Sequence, residues 1–246
     1  IEEYQPLATA AENFQTFDII TIDENREREL PTLVYLPEST EPAAVILFSH
    51  GLGGSRFAAT YLFEHFASRG YVVVSMQHLG SDVSIYQGVP TSQLLAAAFG
   101  AATVENLILR IGDVSSVIDQ LEVWNSDLEH VLYRSMDLER IGMSGHSFGA
   151  RTTQVTSGEI VSYLNYSTLE PRIKAAIPYS TSVPNTEQAA EALEGVNVPW
   201  LVMTATNDTV AVSSATVADR LKVFPALPSG DKYELVLFGG EHNAFV

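Results

Sequence analysis

Two patterns of apolar and polar positions alternate along this chain. Short runs rich in β-branched and aromatic residues recur, separated by longer stretches with apolar residues every three or four positions. The short runs predict strands over residues 17–22, 32–36, 45–49, 71–76, 140–143, 173–177, 200–204 and 234–238. Val45-Ile46-Leu47-Phe48 and Tyr71-Val72-Val73-Val74 are apolar without interruption, as strands buried on both faces of a sheet are. The first two runs flank a polar turn from Asp23 to Arg28 and read as an antiparallel hairpin at one sheet edge. The longer stretches predict helices over 56–69, 92–124, 148–158, 186–193 and 213–224, the second with a break near Gly100. Pro199 before a strand, and Pro225 and Pro228 after a helix, fall where such elements are punctuated. Strands alternating with helices predict an α/β fold, a mostly parallel sheet flanked by helices. No repeat or Gly/Ser linker divides the 246 residues, so residues 1–246 are read as a single domain.

Composition narrows the choice of function. Hydrophobic residues make up 46% and charged residues 17% of the chain, enough for a packed core. The balance of 13 basic and 30 acidic residues gives a net charge of −17, which repels phosphate backbones and argues against nucleic acid as a partner. The absence of cysteine removes disulfides, thiolate nucleophiles and Cys-ligated zinc. The most apolar long stretch, 94–111, contains Glu105, Asn106 and Arg110, so no membrane span is expected. A start at Ile1 rather than Met is the expectation for a chain that has lost an upstream segment, and fits an exported protein. Oligomeric state is not legible here.

The chemistry concentrates in three places. Gly145-His146-Ser147-Phe148-Gly149 fits G-x-S-x-G, directly after the apolar strand residues Ile141-Gly142-Met143 and directly before a helix. Strand, sharp turn and helix form a nucleophile elbow, which holds a serine strained and exposed. The bland alternative is a Gly-rich turn with an incidental serine. A serine hydroxyl needs a base, and six histidines are candidates. His65 in a helix and His130 in a polar connection read as surface residues, and His78, at the end of the fourth strand, as a possible pocket wall. His50 begins a loop, and the side chain of His146 is expected to point away from the Ser147 hydroxyl. His242 follows the last strand, where this elbow's base belongs in the order Ser, acid, His. The acid should lie between them at the carboxyl end of a strand. Asp208, after the run 200–204, fits; an Asx-turn or helix cap is its structural alternative. In Phe48-Ser49-His50-Gly51-Leu52-Gly53-Gly54 the glycines let the backbone approach a substrate. The backbone N–H groups of Leu52 and Phe148 are the expected oxyanion hole. A phosphate-binding loop is the alternative, but the Lys of a P-loop and the G-x-G-x-x-G spacing are both missing.

These loop motifs, together with Gly70-Tyr71-Val72-Val73-Val74, resemble bacterial serine esterases of the dienelactone-hydrolase-like group and platelet-activating-factor acetylhydrolases. The similarity to polyester hydrolases and cutinases is more distant. The resemblance runs from about Leu33 to the C-terminus. It implies an α/β-hydrolase fold with an eight-stranded sheet, Ser147 as nucleophile, His242 as base and no cofactor. Two departures stand out. Plasma-type acetylhydrolases place the acid after the sixth strand, where this chain has Tyr179 and Ser180, and dienelactone hydrolases proper use a cysteine. The chain ends soon after His242, without the C-terminal helix such enzymes usually carry.

Little sequence remains for a large lid, and the polar loop from His78 to Gln93, with Tyr86, Gly88 and Pro90, is expected to border the pocket. Tyr179, Leu52 and Phe148 are expected to line the acyl site. The expected substrate is a small or short-acyl ester. A polymeric ester or an sn-2 acetyl phospholipid is the alternative with the same triad, and a non-catalytic binding protein on this fold the reading from another class. No metal is expected, since no H-E-x-x-H or similar ligand cluster occurs.

Overall fold

A computed structural model describes residues 13–164 and 166–246. Eight strands form one sheet: β1 (Phe14–Asp23), β2 (Arg28–Pro37), β3 (Ala43–Ser49), β4 (Val72–Met76), β5 (Met136–His146), β6 (Ile173–Tyr179), β7 (Trp200–Asn207) and β8 (Lys232–Glu241). Their order across the sheet is β1-β2-β4-β3-β5-β6-β7-β8. β2 pairs antiparallel with both neighbours, and every other pairing is parallel. The expected edge hairpin is β1–β2, in register from Phe14 opposite Pro37 to Asp23 opposite Arg28.

The uninterrupted apolar runs lie in the centre of the sheet, where both faces are covered. Val45 and Leu47 on β3, with Val72 and Val74 on β4, pack under Val114, Val117, Ile118, Leu121 and Trp124 of α3 (Val104–Ser126). Phe48 and Val73 point to the opposite face, against Ala59 and, in α1 (Thr60–Ala67), Phe63 and Ala67. Alternation along each strand therefore feeds two cores.

The helical stretches are more broken than their periodicity predicts. The first starts only at Thr60, because residues 55–59 form turns and Arg56 reaches back to Asp18 and Gln77. The long stretch divides into α2 (Leu94–Ala101) and α3, not at Gly100 but at Ala102–Thr103, where the Thr103 hydroxyl accepts from the Asn106 N–H and caps α3. No single helix among the described residues is long and apolar enough to cross a membrane, and α2 with α3 qualifies only as a pair bent by 68°. The fifth stretch yields only α6 (Val217–Arg220) and α7 (Val223–Ala226). A Thr216–Asp219 capping box delays its start, and Arg220 turns inward instead of lying on a solvent face. The remaining helices are α4 (Phe148–Thr156) and α5 (Ala189–Leu193).

From β3 the chain crosses through α1 to β4 on one side, then returns to place β5 on the other side of β3. The carboxyl ends of β3 and β5 thus adjoin at a reversal of strand order, which opens a crevice between the loops that follow. His50–Gly54 and Ser147 occupy those loops.

Candidate active site

Ser147 sits between β5 and α4 with φ 57° and ψ −112°, a conformation that L-residues rarely adopt. Close packing enforces it. A Cβ on Gly149 would overlap the Ser49 carbonyl, and one on Gly145 would collide with the carbonyls of Gly149 and Ser49. The two glycines let the turn sit directly on β3, and the Ser147 N–H donates to the Tyr179 carbonyl at 3.0 Å.

Three residues far apart in the chain meet there. His242 Nε2 lies 2.8 Å from Ser147 Oγ, and His242 Nδ1 lies 2.7 Å from Asp208 Oδ1. The ionised carboxylate only accepts, so Nδ1 carries the proton and Nε2 is left to accept from the serine hydroxyl. Asp208 is fully buried just after β7. Its Oδ2 accepts from Thr204 Oγ1 at 2.9 Å, and Arg220 Nε stands 3.2 Å from Oδ1. Burial alone would raise the Asp208 pKa, but His242, Arg220, Ser180 and Thr204 outweigh it and hold the carboxyl below its ordinary range. Asp82, another buried carboxylate near these loops, pairs with Gln77 and Ser84 instead.

Leu52 and Phe148 line the same cavity as Ser147, and neither backbone N–H has an acceptor among the described residues. Gly53, at φ 70°, lies under the Tyr86 ring, so the loop between β4 and α2 packs on the His50–Gly54 loop, while other residues line the cavity at Ser147. A cavity of about 140 Å³ opens beside Ser147. Leu52, Ala102, Phe148, Val210 and Val212 give it apolar walls, with Ser180, Ser182, Ser213, Arg151 and Arg220 as its polar rim.

Tyr179 is a correction. The tyrosine expected in the acyl pocket is 4% exposed and packs into the α1-side core, its ring 5.9 Å from that of Phe245. Side chains alternate along β6, and at this register Tyr179 faces the core rather than the crevice. Only its backbone carbonyl serves the elbow. His78 is likewise no pocket wall: it is fully buried between Ser49 and Asp113. His65 is exposed, while His130 stacks flat on Trp124 at 4.9 Å.

Sequence reasoning missed three supports. His146 points away from the Ser147 hydroxyl, as expected, but its Nε2 donates to the His242 carbonyl at 2.8 Å. Burial, then the neighbouring His242, pushes the His146 pKa down to about 4, so it is a neutral donor. Arg220 ties Asp208 to the loop after β6, donating to the Ser180 carbonyl at 2.6 Å and the Asp208 carbonyl at 3.0 Å. Arg110 is fully buried beneath the His50–Gly54 loop. Among the described residues no group of three or more His, Asp or Glu side chains is arranged to hold a metal ion.

The sheet order, the elbow at the strand-order reversal and the positions of the three residues after β5, β7 and β8 decide the fold. The chain has the α/β-hydrolase fold. Comparison with known proteins agrees with this assignment. The family model described as platelet-activating factor acetylhydrolase, isoform II, matches residues 35–94, the part of the hydrolase fold that holds β3, the His50–Gly54 loop, α1 and β4. The chain is also similar to cutinase est2 of Thermobifida alba, 24% identical over 212 residues, covering 86% of this chain and 56% of the relative. Cutinase est1 of the same organism is 24% identical over 211 residues, covering 86% and 57%. The chain thus spans about half the length of the curated relatives it matches.

Proposed function

We propose that this hydrolase-fold chain, acting as one catalytic domain, is a serine carboxylic ester hydrolase for small or short-acyl esters. The observation that carries the reading is the unbroken relay from Ser147 Oγ to His242 at 2.8 Å and from His242 to Asp208 at 2.7 Å. Ser147 Oγ attacks the ester carbonyl carbon while His242 Nε2 takes the hydroxyl proton. The imidazolium that forms is stabilised by the Asp208 carboxylate. Negative charge develops on the carbonyl oxygen, and the N–H groups of Leu52 and Phe148 receive it. Collapse expels the alcohol, which leaves with the proton from His242, and Ser147 holds the acyl group as an ester. Water then attacks that ester with His242 again as base, and the acid and free Ser147 are released. No cofactor enters these steps.

The cavity beside Ser147, about 140 Å³, supports a short acyl group, since ligand pockets for larger molecules run to roughly 300–1,000 Å³. A second reading is favoured by the cutinase names of the relatives and the acetylhydrolase description of the matching family. In it, the same triad cuts a polymeric ester or an acetyl phospholipid at an open site. Initial rates on p-nitrophenyl esters from acetyl to palmitoyl test the first reading. Rates that fall with chain length support it; a long-chain optimum, or faster release of monomers from a polyester film, moves the substrate to the second.

A further inference from the structure

Arg110 is the most deeply buried cation of the described residues, and its surroundings are unusual. Its guanidinium has no carboxylate within ion-pair distance among the described residues; its acceptors are carbonyl and hydroxyl oxygens. Nη1 donates to the His50 carbonyl at 2.7 Å and to Ser49 Oγ at 3.3 Å. Nε donates to Ser81 Oγ at 2.8 Å, and Nη2 lies 3.4 Å from the Ser81 carbonyl. The same guanidinium lies over the Phe148 ring, 4.5 Å from its centroid. One side chain therefore touches both halves of the oxyanion hole: the loop that presents the Leu52 N–H, through the carbonyl two residues before it, and Phe148 itself.

The acceptors around Arg110 are themselves held. Asp113 Oδ2 accepts from His78 Nδ1 at 2.9 Å, and His78 Nε2 accepts from Ser49 Oγ at 2.9 Å. The His78 backbone N–H donates to His50 Nε2 at 3.1 Å, which leaves the His50 Nδ1 proton for the Gly51 carbonyl at 2.6 Å. The 3.4 Å approach of Arg110 Nη2 to that Nδ1 is then a contact and not a bond. Asp113, His78 and Ser49 mimic the order of a catalytic relay, but all three are fully buried, out of reach of substrate. They form a frame, and Arg110 is its projecting member.

We propose that Arg110 is the positioning residue of the oxyanion hole, fixing the Leu52 and Phe148 N–H groups relative to each other and adding a buried positive charge behind them. This rests on the esterase reading of the site. An oxyanion hole works because its donors are aimed before charge develops, so a loosened frame lowers turnover more than substrate binding.

The test uses Arg110→Met, Arg110→Lys and Ser81→Ala, assayed on p-nitrophenyl acetate and with an aryl trifluoromethyl ketone, which forms a tetrahedral adduct on Ser147. Arg110→Met should lower kcat by about 100-fold with KM within about 3-fold, and the inhibition constant of the ketone should rise in parallel. Arg110→Lys, which keeps the charge and reaches fewer acceptors, should recover about 10-fold of that loss, and Ser81→Ala should cost about 3-fold in kcat. The acid limb of the pH–rate profile should stay in place in all three. Should Arg110→Met not fold, the lysine and alanine variants carry the test by the same kcat, KM and inhibitor readouts. Folded variants with unchanged kcat overturn the proposal, as does a loss confined to KM or a lower kcat with unchanged ketone affinity. Failure of the wild type to hydrolyse any ester overturns the esterase reading itself, and this inference with it; normal wild-type turnover with indifferent variants overturns only the inference.

Discussion

His146 supports His242: the rings lie 4.7 Å apart, tilted by 51°, and His146 Nε2 donates to the backbone carbonyl of His242. His242 is thus fixed from two sides, its ring by Asp208 and its backbone by the residue that precedes Ser147. Replacing His146 by Phe keeps the ring and removes the bond. Steady-state kinetics on p-nitrophenyl acetate should show kcat lower by roughly 10- to 100-fold, the scale expected when a reacting group shifts by a fraction of an ångström to an ångström. Unchanged kcat would mean that Asp208 alone orients the imidazole.

Asp208 separates cleanly from Asp82 by mutation. Asp208→Asn presents an amide N–H to Nδ1 and stabilises the wrong tautomer, so kcat should fall by about 10⁴-fold. Asp82→Asn should stay within about 10-fold of wild type, because Asp82 bonds to Gln77 and Ser84 rather than to the base. Parallel kinetics on the two variants decide between them, and the reverse ranking would displace Asp208 as the acid.

Buried neutral histidines predict sensitivity to acid. Burial pushes His78 and His146 from an ordinary 6.5 down to about 4 in the folded state, and holds His50 well below its ordinary value too. The unfolded chain binds these protons as pH drops below about 6.5, whereas the folded chain does so only near 4. The stability they contribute is therefore complete above about pH 6.5 and is lost as pH falls toward 4. For His78 and His146 together the slope approaches roughly 2.7 kcal/mol per pH unit inside that window. Urea unfolding at pH 6.5, 5.5 and 4.5 reads it directly, and equal midpoints across the series would contradict their neutrality.

Gly149 in the elbow differs sharply from Gly142 on the strand that leads into it. A Cβ at Gly149 would overlap the Ser49 carbonyl, while one at Gly142 meets nothing closer than 3.8 Å. Overpacking of this kind costs at least about 1–3 kcal/mol, so Gly149→Ala should lower Tm by roughly 5 °C or more and reduce kcat with it. Gly142→Ala should leave Tm within about 2 °C. Thermal unfolding of the two variants side by side tests the contrast.

The sheet and the meeting of Ser147, Asp208 and His242 were legible because each rests on a local signal. Unbroken apolar runs marked the central strands, and the chain order of Ser147, Asp208 and His242 marked the ends of β5, β7 and β8. Helix limits were less legible, since tertiary contacts set them: Thr103 and Thr216 choose the caps, and Arg56 and Arg220 leave helical stretches to bind partners far away in sequence. Tyr179 misled because which face a strand residue takes depends on register and on what packs there. Arg110, His78 and Asp113 were invisible as a group, because the contacts that unite them with Ser49 and Ser81 join separate segments of the chain.

The central claim is that Ser147 is a nucleophile activated by His242. Diisopropyl fluorophosphate labelling, followed by intact mass and peptide mapping, tests it without assuming any substrate. The account predicts one adduct per chain on Ser147, none in Ser147→Ala, and labelling slower by about 10³-fold or more in His242→Ala. An adduct on another serine, or undiminished labelling of Ser147→Ala, would contradict it.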